Sequence, residues 1–174
     1  MKRIFLLAML LITLMIPFAS AAKMTVYENQ DYHFSFAYPA DWDFITYKRD
    51  ETVAFSAFFL QSTNVNVGVI VYPPDLQIKD NLHSEKRVKS FVKEEMERIK
   101  KKVPNAQLDN YSVVDFKNKK AILLKTSIPN RLIDETYIVF TDNFRYDFYI
   151  AGTSEGLSDY RSILDESLES FEIH

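Results

Sequence analysis

Apolar and polar positions divide the chain into several runs of period two and two longer runs of period near 3.6. The run Tyr32-His33-Phe34-Ser35-Phe36-Ala37-Tyr38 alternates aromatic with small or polar residues without a break, which predicts a half-buried strand at the centre of the fold. Pro39 has no amide proton to give a ladder, so pairing should stop there. The chain then turns through Ala40 and Asp41, and Trp42, the only tryptophan, folds back as a core anchor. Residues 24–27 read as a short edge strand, joined by the polar turn 28–31 into a hairpin.

Further along, 44–47 and 53–60 are strand-like on either side of the charged turn 48–51, and 61–64 is the next turn. Val65, Val67, Val69 and Val71 share one strand face, with Asn66, Gly68 and Ile70 on the other, until Tyr72-Pro73-Pro74 ends the run. After a loop over 75–83, Val88, Phe91, Val92, Met96, Ile99 and Val103 recur at spacings of three and four, which predicts an amphipathic helix. Ser84 is its expected N-cap, Glu85 lies in its first turn, Lys100, Lys101 and Lys102 suit its carbonyl end, and Pro104 stops it. Residues 109–116 and 121–128 form a hairpin around 117–120, and 133–141 pairs with 144–151 around Asp142-Asn143. In that last strand Phe144, Tyr146, Phe148 and Ile150 alternate with Arg145, Asp147 and Tyr149. A second helix follows, with Leu157, Tyr160, Leu164, Leu168 and Phe171 as its stripe and Ser154 or Ser158 as its cap.

Strands outnumber helices and most links between strands suit hairpins, so the class is α+β with a mainly antiparallel sheet flanked by helices. Ala37, Phe58, Ile70 and Tyr149 on the minor faces imply that both sides of the sheet are covered, an α/β/α sandwich. No internal repeat or low-complexity linker divides it, so 22–174 is expected to be a single domain.

Residues 1–21 are set apart from that fold. Lys2 and Arg3 lead into an apolar run from 4 to 16, then Pro17 and Ala19-Ser20-Ala21-Ala22, the layout of a secretory signal with small residues before the cut. Cleavage is expected after Ala21, with Ala22 the alternative. The apolar run falls short of the roughly 20 residues a spanning helix needs, and no later segment is apolar enough to span. The expected location is therefore extracytoplasmic, periplasmic or secreted, and soluble. Loss of two cations with the signal makes the chain more acidic than its formal charge of −3, which disfavours nucleic acid and anionic lipid as partners. The absence of cysteine excludes disulfides, thiolate metal sites, a cysteine nucleophile and a lipoprotein anchor. Three glycines, Gly68, Gly152 and Gly156, cannot build a phosphate-cradling loop, so no nucleotide cofactor is expected.

An aromatic strand ending in Tyr38-Pro39, then Trp42, a late pair of hairpins, and a closing helix finishing in Leu168-Glu169-Ser170-Phe171-Glu172-Ile173 together resemble the PsbP-like superfamily. The resemblance covers 24–174 and implies an α/β/α sandwich around an antiparallel sheet. It also implies a non-enzymatic accessory or binding module outside the cytoplasm. The photosystem subunit of that superfamily carries a docking extension ahead of its first strand, whereas only a few residues separate Ala21 from Met24 here.

Candidate chemistry is sparse. Asp31, His33 and Ser35 invite a Ser-His-Asp reading, but residues two apart on a strand stand roughly 6–7 Å apart, and nothing marks an oxyanion hole. His33, His83 and His174 lack metal-ligand spacing. Asp41 and Asp43 flank Trp42 as a turn and a core anchor would require, rather than as a calcium or sugar corner. Lys117, Lys119 and Lys120 suit a hairpin tip, and Asn110-Tyr111-Ser112 is a glycosylation acceptor only in a eukaryotic secretory pathway. Tyr47 and Tyr72 are the aromatics most expected to be exposed for binding. The expectation is a binding or accessory protein at the cell envelope, needing no cofactor and meeting an envelope protein or a small ligand. An assembly factor for an envelope complex and an extracytoplasmic hydrolase are the alternatives.

Overall fold

The computed structural model describes residues 22–49, 51–59 and 64–174. The proposed signal over 1–21, most of the turn at 61–64 and Leu60 lie outside the described residues. Strands β3 (Asp43–Arg49), β4 (Thr52–Phe59), β5 (Val65–Tyr72), β6 (Gln107–Phe116), β7 (Lys119–Ile128), β8 (Leu132–Phe140) and β9 (Arg145–Gly152) form one antiparallel sheet in the order β3-β4-β5-β9-β8-β7-β6. Strand β9 is thus the middle strand of seven, and its neighbours reach it from both ends of the sequence. Its alternating pattern sends Tyr146, Phe148 and Ile150 to one face and Arg145 and Asp147 to the other, with all five buried.

The first face meets Phe34, Phe36, Leu164 and Phe171, which belong to a second layer. That layer contains a small sheet of β1 (Met24–Asn29), β2 (Phe34–Pro39) and β10 (Glu172–Ile173), in the order β1-β2-β10, together with the C-terminal helices. The Tyr32 strand is therefore not in the main sheet, as its place in the sequence reading implied. It begins at Phe34, because His33 has φ of 52° and belongs to the preceding turn. Rings dominate this core: Phe34 lies 5.2 Å edge-on to Phe55, Phe36 lies 6.1 Å from Phe148, and Trp42 stacks on Phe59. Such tilted and edge contacts suit the ring quadrupole, and each fully buried ring contributes about 1.5–3 kcal/mol by leaving water.

The opposite face carries α1 (Leu76–Lys79), a short turn within the expected loop, and α2 (Glu85–Lys102). Val88, Phe91 and Val92 of α2 pack on Ile122, Leu124, Ile138 and Phe140. Ser84 precedes α2 in extended backbone but makes no side-chain cap bond. The expected closing helix is two helices, α3 (Ser154–Asp159) and α4 (Arg161–Ser170), broken at Tyr160, whose ring reaches Trp42 and Phe59 at 5.9 and 5.4 Å. Neither Ser154 nor Ser158 caps α3: Thr153 does, accepting from the Gly156 amide at 3.0 Å. The helical ending also stops at Ser170, and Glu172–Ile173 pairs with β2. The hairpin tip expected over 117–120 narrows to Lys117 and Asn118, both left-handed at φ 51° and 60°, the geometry of a two-residue turn. The architecture is the expected α+β sandwich, with a small sheet sharing one outer layer with helices.

Candidate functional site

The sequence-read candidates do not assemble. Asp31 and His33 are exposed turn residues, while Ser35 Oγ lies 3.1 Å from His174 Nε2 instead. Asp41 and Asp43 point to solvent on either side of buried Trp42, and among the described residues no group of three His, Asp or Glu is placed to hold a metal ion. Lys120 pairs with Asp115 at 2.7 Å within its hairpin, and Asn110 is exposed beside an irregularity in β6. Tyr47 is 60% exposed, as expected, but Tyr72 is covered by Arg98 and Arg145.

The chemistry sits instead on the face of β9 that alternation assigned to the polar side. Arg145 donates from Nε and Nη2 to both Asp147 oxygens at 2.7 Å, and from Nη1 to Glu95 Oε1 on α2 at 2.5 Å. Its guanidinium lies between the Tyr72 and Phe91 rings, 4.6 and 4.9 Å from their centroids. Arg98 donates to the other Glu95 oxygen at 2.9 and 2.5 Å and to the Tyr72 hydroxyl at 2.9 Å. Two cations and two carboxylates are thereby matched across the joint between helix and sheet. Burial works to raise Glu95, but the hydrogen bonds and charges of Arg145 and Arg98 outweigh it and the carboxyl is held low. For Asp147 burial dominates and raises the carboxyl, with Arg145 pulling against it. Burial also raises the Tyr72 hydroxyl, reinforced by the Asp147 charge.

Beyond this network the second half of α2 overhangs a cavity of about 320 Å³. Short side chains, Thr126, Asp134, Thr136 and Ala151, line it from the sheet beside Leu124 and Ile138, whereas the first half of the helix meets Ile122 and Phe140 as well. Aliphatic groups, including Ile70, Ile99, Ile128 and Leu132, supply most of the remaining wall. Tyr149 lies across Gly68 there, and a methyl at Gly68 would come 2.9 Å from the Tyr149 hydroxyl and 2.2 Å from the Phe55 carbonyl oxygen. Only glycine leaves room for this arrangement. Desolvation pushes Tyr149 up to about 12. Desolvation likewise drives Asp134 from an ordinary 3.8 up to about 6, helped by the Asp147 and Glu135 charges and opposed by the 2.5 Å hydrogen bond that Thr136 donates.

The sequence carried two signals for this site that its periodicity reading passed over. Glu95 falls on the apolar stripe of α2, three residues after Val92, and Arg145 and Asp147 are opposite charges two apart on one strand face. An acidic residue on a stripe and a matched pair on a neighbouring strand are what a buried ion network requires.

Comparison with known proteins places the chain as follows. A PsbP family model matches residues 22–173. The solution structure of a cyanobacterial PsbP, CyanoP from Synechocystis, superposes with a TM-score of 0.65 at 15% identity, covering 90% of this chain and 96% of that one. A Pseudomonas aeruginosa protein of unknown function, PA94, gives a TM-score of 0.49 at 11% identity, covering 86% and 96% of the two chains. Comparison with curated proteins by sequence gives no match.

Proposed function

The chain belongs to the PsbP family, and from that premise we propose that it is an exported accessory or binding protein of the cell envelope that carries out no catalysis. The observation carrying the proposal is where the family domain starts: the match opens at residue 22, directly after the expected cut at Ala21, so cleavage would release the domain whole. The structural resemblance to CyanoP supports the scaffold and leaves the task to the surface. The charge network supports a role without turnover, because Glu95, Asp147, Arg98 and Arg145 direct their hydrogen bonds to one another and to the Tyr72 hydroxyl. Among the described residues, no helix is long and apolar enough to cross a membrane.

The surface that favours a protein partner is the outer strand β3, where Ile45 and Tyr47 are 51% and 60% exposed on one face. Apolar groups on a sheet edge are a recognised route to strand or side-chain docking. Affinity capture from the native envelope with protein beginning at Ala22, alongside the double variant Ile45→Ser, Tyr47→Ser, tests the reading. A partner held by the parent and lost by the variant is the expected result. Turnover of an esterase, peptidase or glycosidase substrate by the purified domain, with no partner captured, would replace it with the hydrolase reading.

A further inference from the structure

Besides Lys102, exposed at the helix end, the charged lining of the cavity under α2 divides into two sets. Arg145, Arg98, Glu95 and Asp147 neutralise one another through direct hydrogen bonds. Asp134 stands apart: its hydrogen bond comes from the neutral Thr136 hydroxyl, and the charges that reach it, Asp147 and Glu135, are both negative. Among the described residues no lysine or arginine forms an ion pair with it. One hydroxyl donor leaves most of a carboxylate's acceptor capacity unused, and a carboxylate in apolar surroundings is costly until a cation or further donors meet it. Around it the cavity is walled by Ile70, Ile99, Leu124, Ile128 and Leu132, and its volume falls at the small end of the range for ligand sites.

We propose that this cavity binds a small molecule with an apolar body and one protonated amine, the amine pairing with Asp134 and the body filling the aliphatic wall. Thr136 holds the carboxylate in place from two residues along β8, on the same face. An anionic ligand is disfavoured, because its charge would face Asp134, and the one cation of the lining outside the ion network, Lys102, is exposed at the end of α2. The inference deepens the binding reading and rests on it.

The probe is 2-phenylethylamine, titrated into isotopically labelled protein beginning at Ala22 and followed by amide chemical shifts. 2-Phenylethanol and 3-phenylpropionate serve as neutral and anionic partners of similar shape. The amine should saturate and move signals from β8, β9 and the second half of α2. The alcohol and the acid should bind roughly tenfold or more weakly, since a charge-assisted contact would be missing. Asp134→Asn, nearly identical in shape, should lose the preference for the amine. Ala151→Leu, which keeps Asp134 and fills the floor, should lose affinity for all three. Equal binding of the three probes, absence of saturable shifts, or undiminished amine affinity in Asp134→Asn would overturn the proposal. Envelope capture repeated with Asp134→Asn separates the two ideas. A partner still held by parent and variant while the amine fails to bind overturns only the amine site, and amine binding with no partner overturns only the accessory reading.

Discussion

Arg145 and Asp134 are both charged groups facing α2, yet substitution should move stability in opposite directions. Arg145→Met keeps volume and deletes the charge that holds Asp147 and Glu95, leaving two buried carboxylates without their main partner. Removing one member of a buried pair costs about 3–5 kcal/mol, so the urea midpoint should fall steeply with little change in slope. For Asp134 the folded carboxyl titrates near 6 and the unfolded one near 3.8. As pH rises through that window the unfolded chain releases its proton first, so stability declines, and above it the whole loss is in place. The groups that set this are Asp147 on β9, Glu135 and Thr136 on β8, and the desolvating wall. Asp134→Asn removes the titration and should be more stable than the parent by about 1–3 kcal/mol at pH 7.5, with the gap closing by pH 4. Paired denaturation curves at the two pH values decide it; a gap independent of pH would be contrary. Residue type showed only that Arg145 and Asp147 are opposite charges on one strand face; alternation with aromatics is also what solvent-facing residues display, and their burial follows from α2 lying over them.

Among the elements, periodicity located what it can measure. The valine face of β5, the alternation of β9 and the stripe of α2 stand as read, because a repeat of two or 3.6 residues reports which side chains share a face. It does not report which strand lies beside which, so the assignment of β2 to a small sheet with the chain's last residues was beyond it. The break between α3 and α4 was hidden for a related reason. Leu157, Tyr160 and Leu164 keep helical spacing, but Tyr160 is drawn out of the helix to meet Trp42 and Phe59. The cap follows the same logic: three hydroxyl residues, Thr153, Ser154 and Ser158, compete at that end, and geometry selects Thr153. Thr153→Ala should therefore cost about 1 kcal/mol, whereas Ser154→Ala and Ser158→Ala, both exposed, should stay within about 0.5 kcal/mol. Thermal unfolding of the three variants compares them, and an equal loss at Ser154 would contradict the assigned cap.

For the whole molecule, export and folding should act on separate segments. When the full chain is made in a secreting host, the recovered protein should begin at Ala22, read by intact mass and N-terminal sequencing, and appear outside the cytoplasm. Retention of residues 1–21 in a membrane fraction would make that segment an anchor. By itself the sequence determined the α+β class, the strand and helix faces, the aromatic core and the family resemblance, all of which depend on near neighbours along the chain. Tertiary structure alone decided that Glu95, Arg98, Arg145 and Asp147 meet, and that a cavity opens beside Asp134. Glu95 and Arg145 lie 50 residues apart and touch only because α2 crosses the middle strand. Short side chains from three strands face the second half of that helix where the cavity opens. Local pattern sets which way a side chain points; what it meets there depends on distant segments that packing brings together.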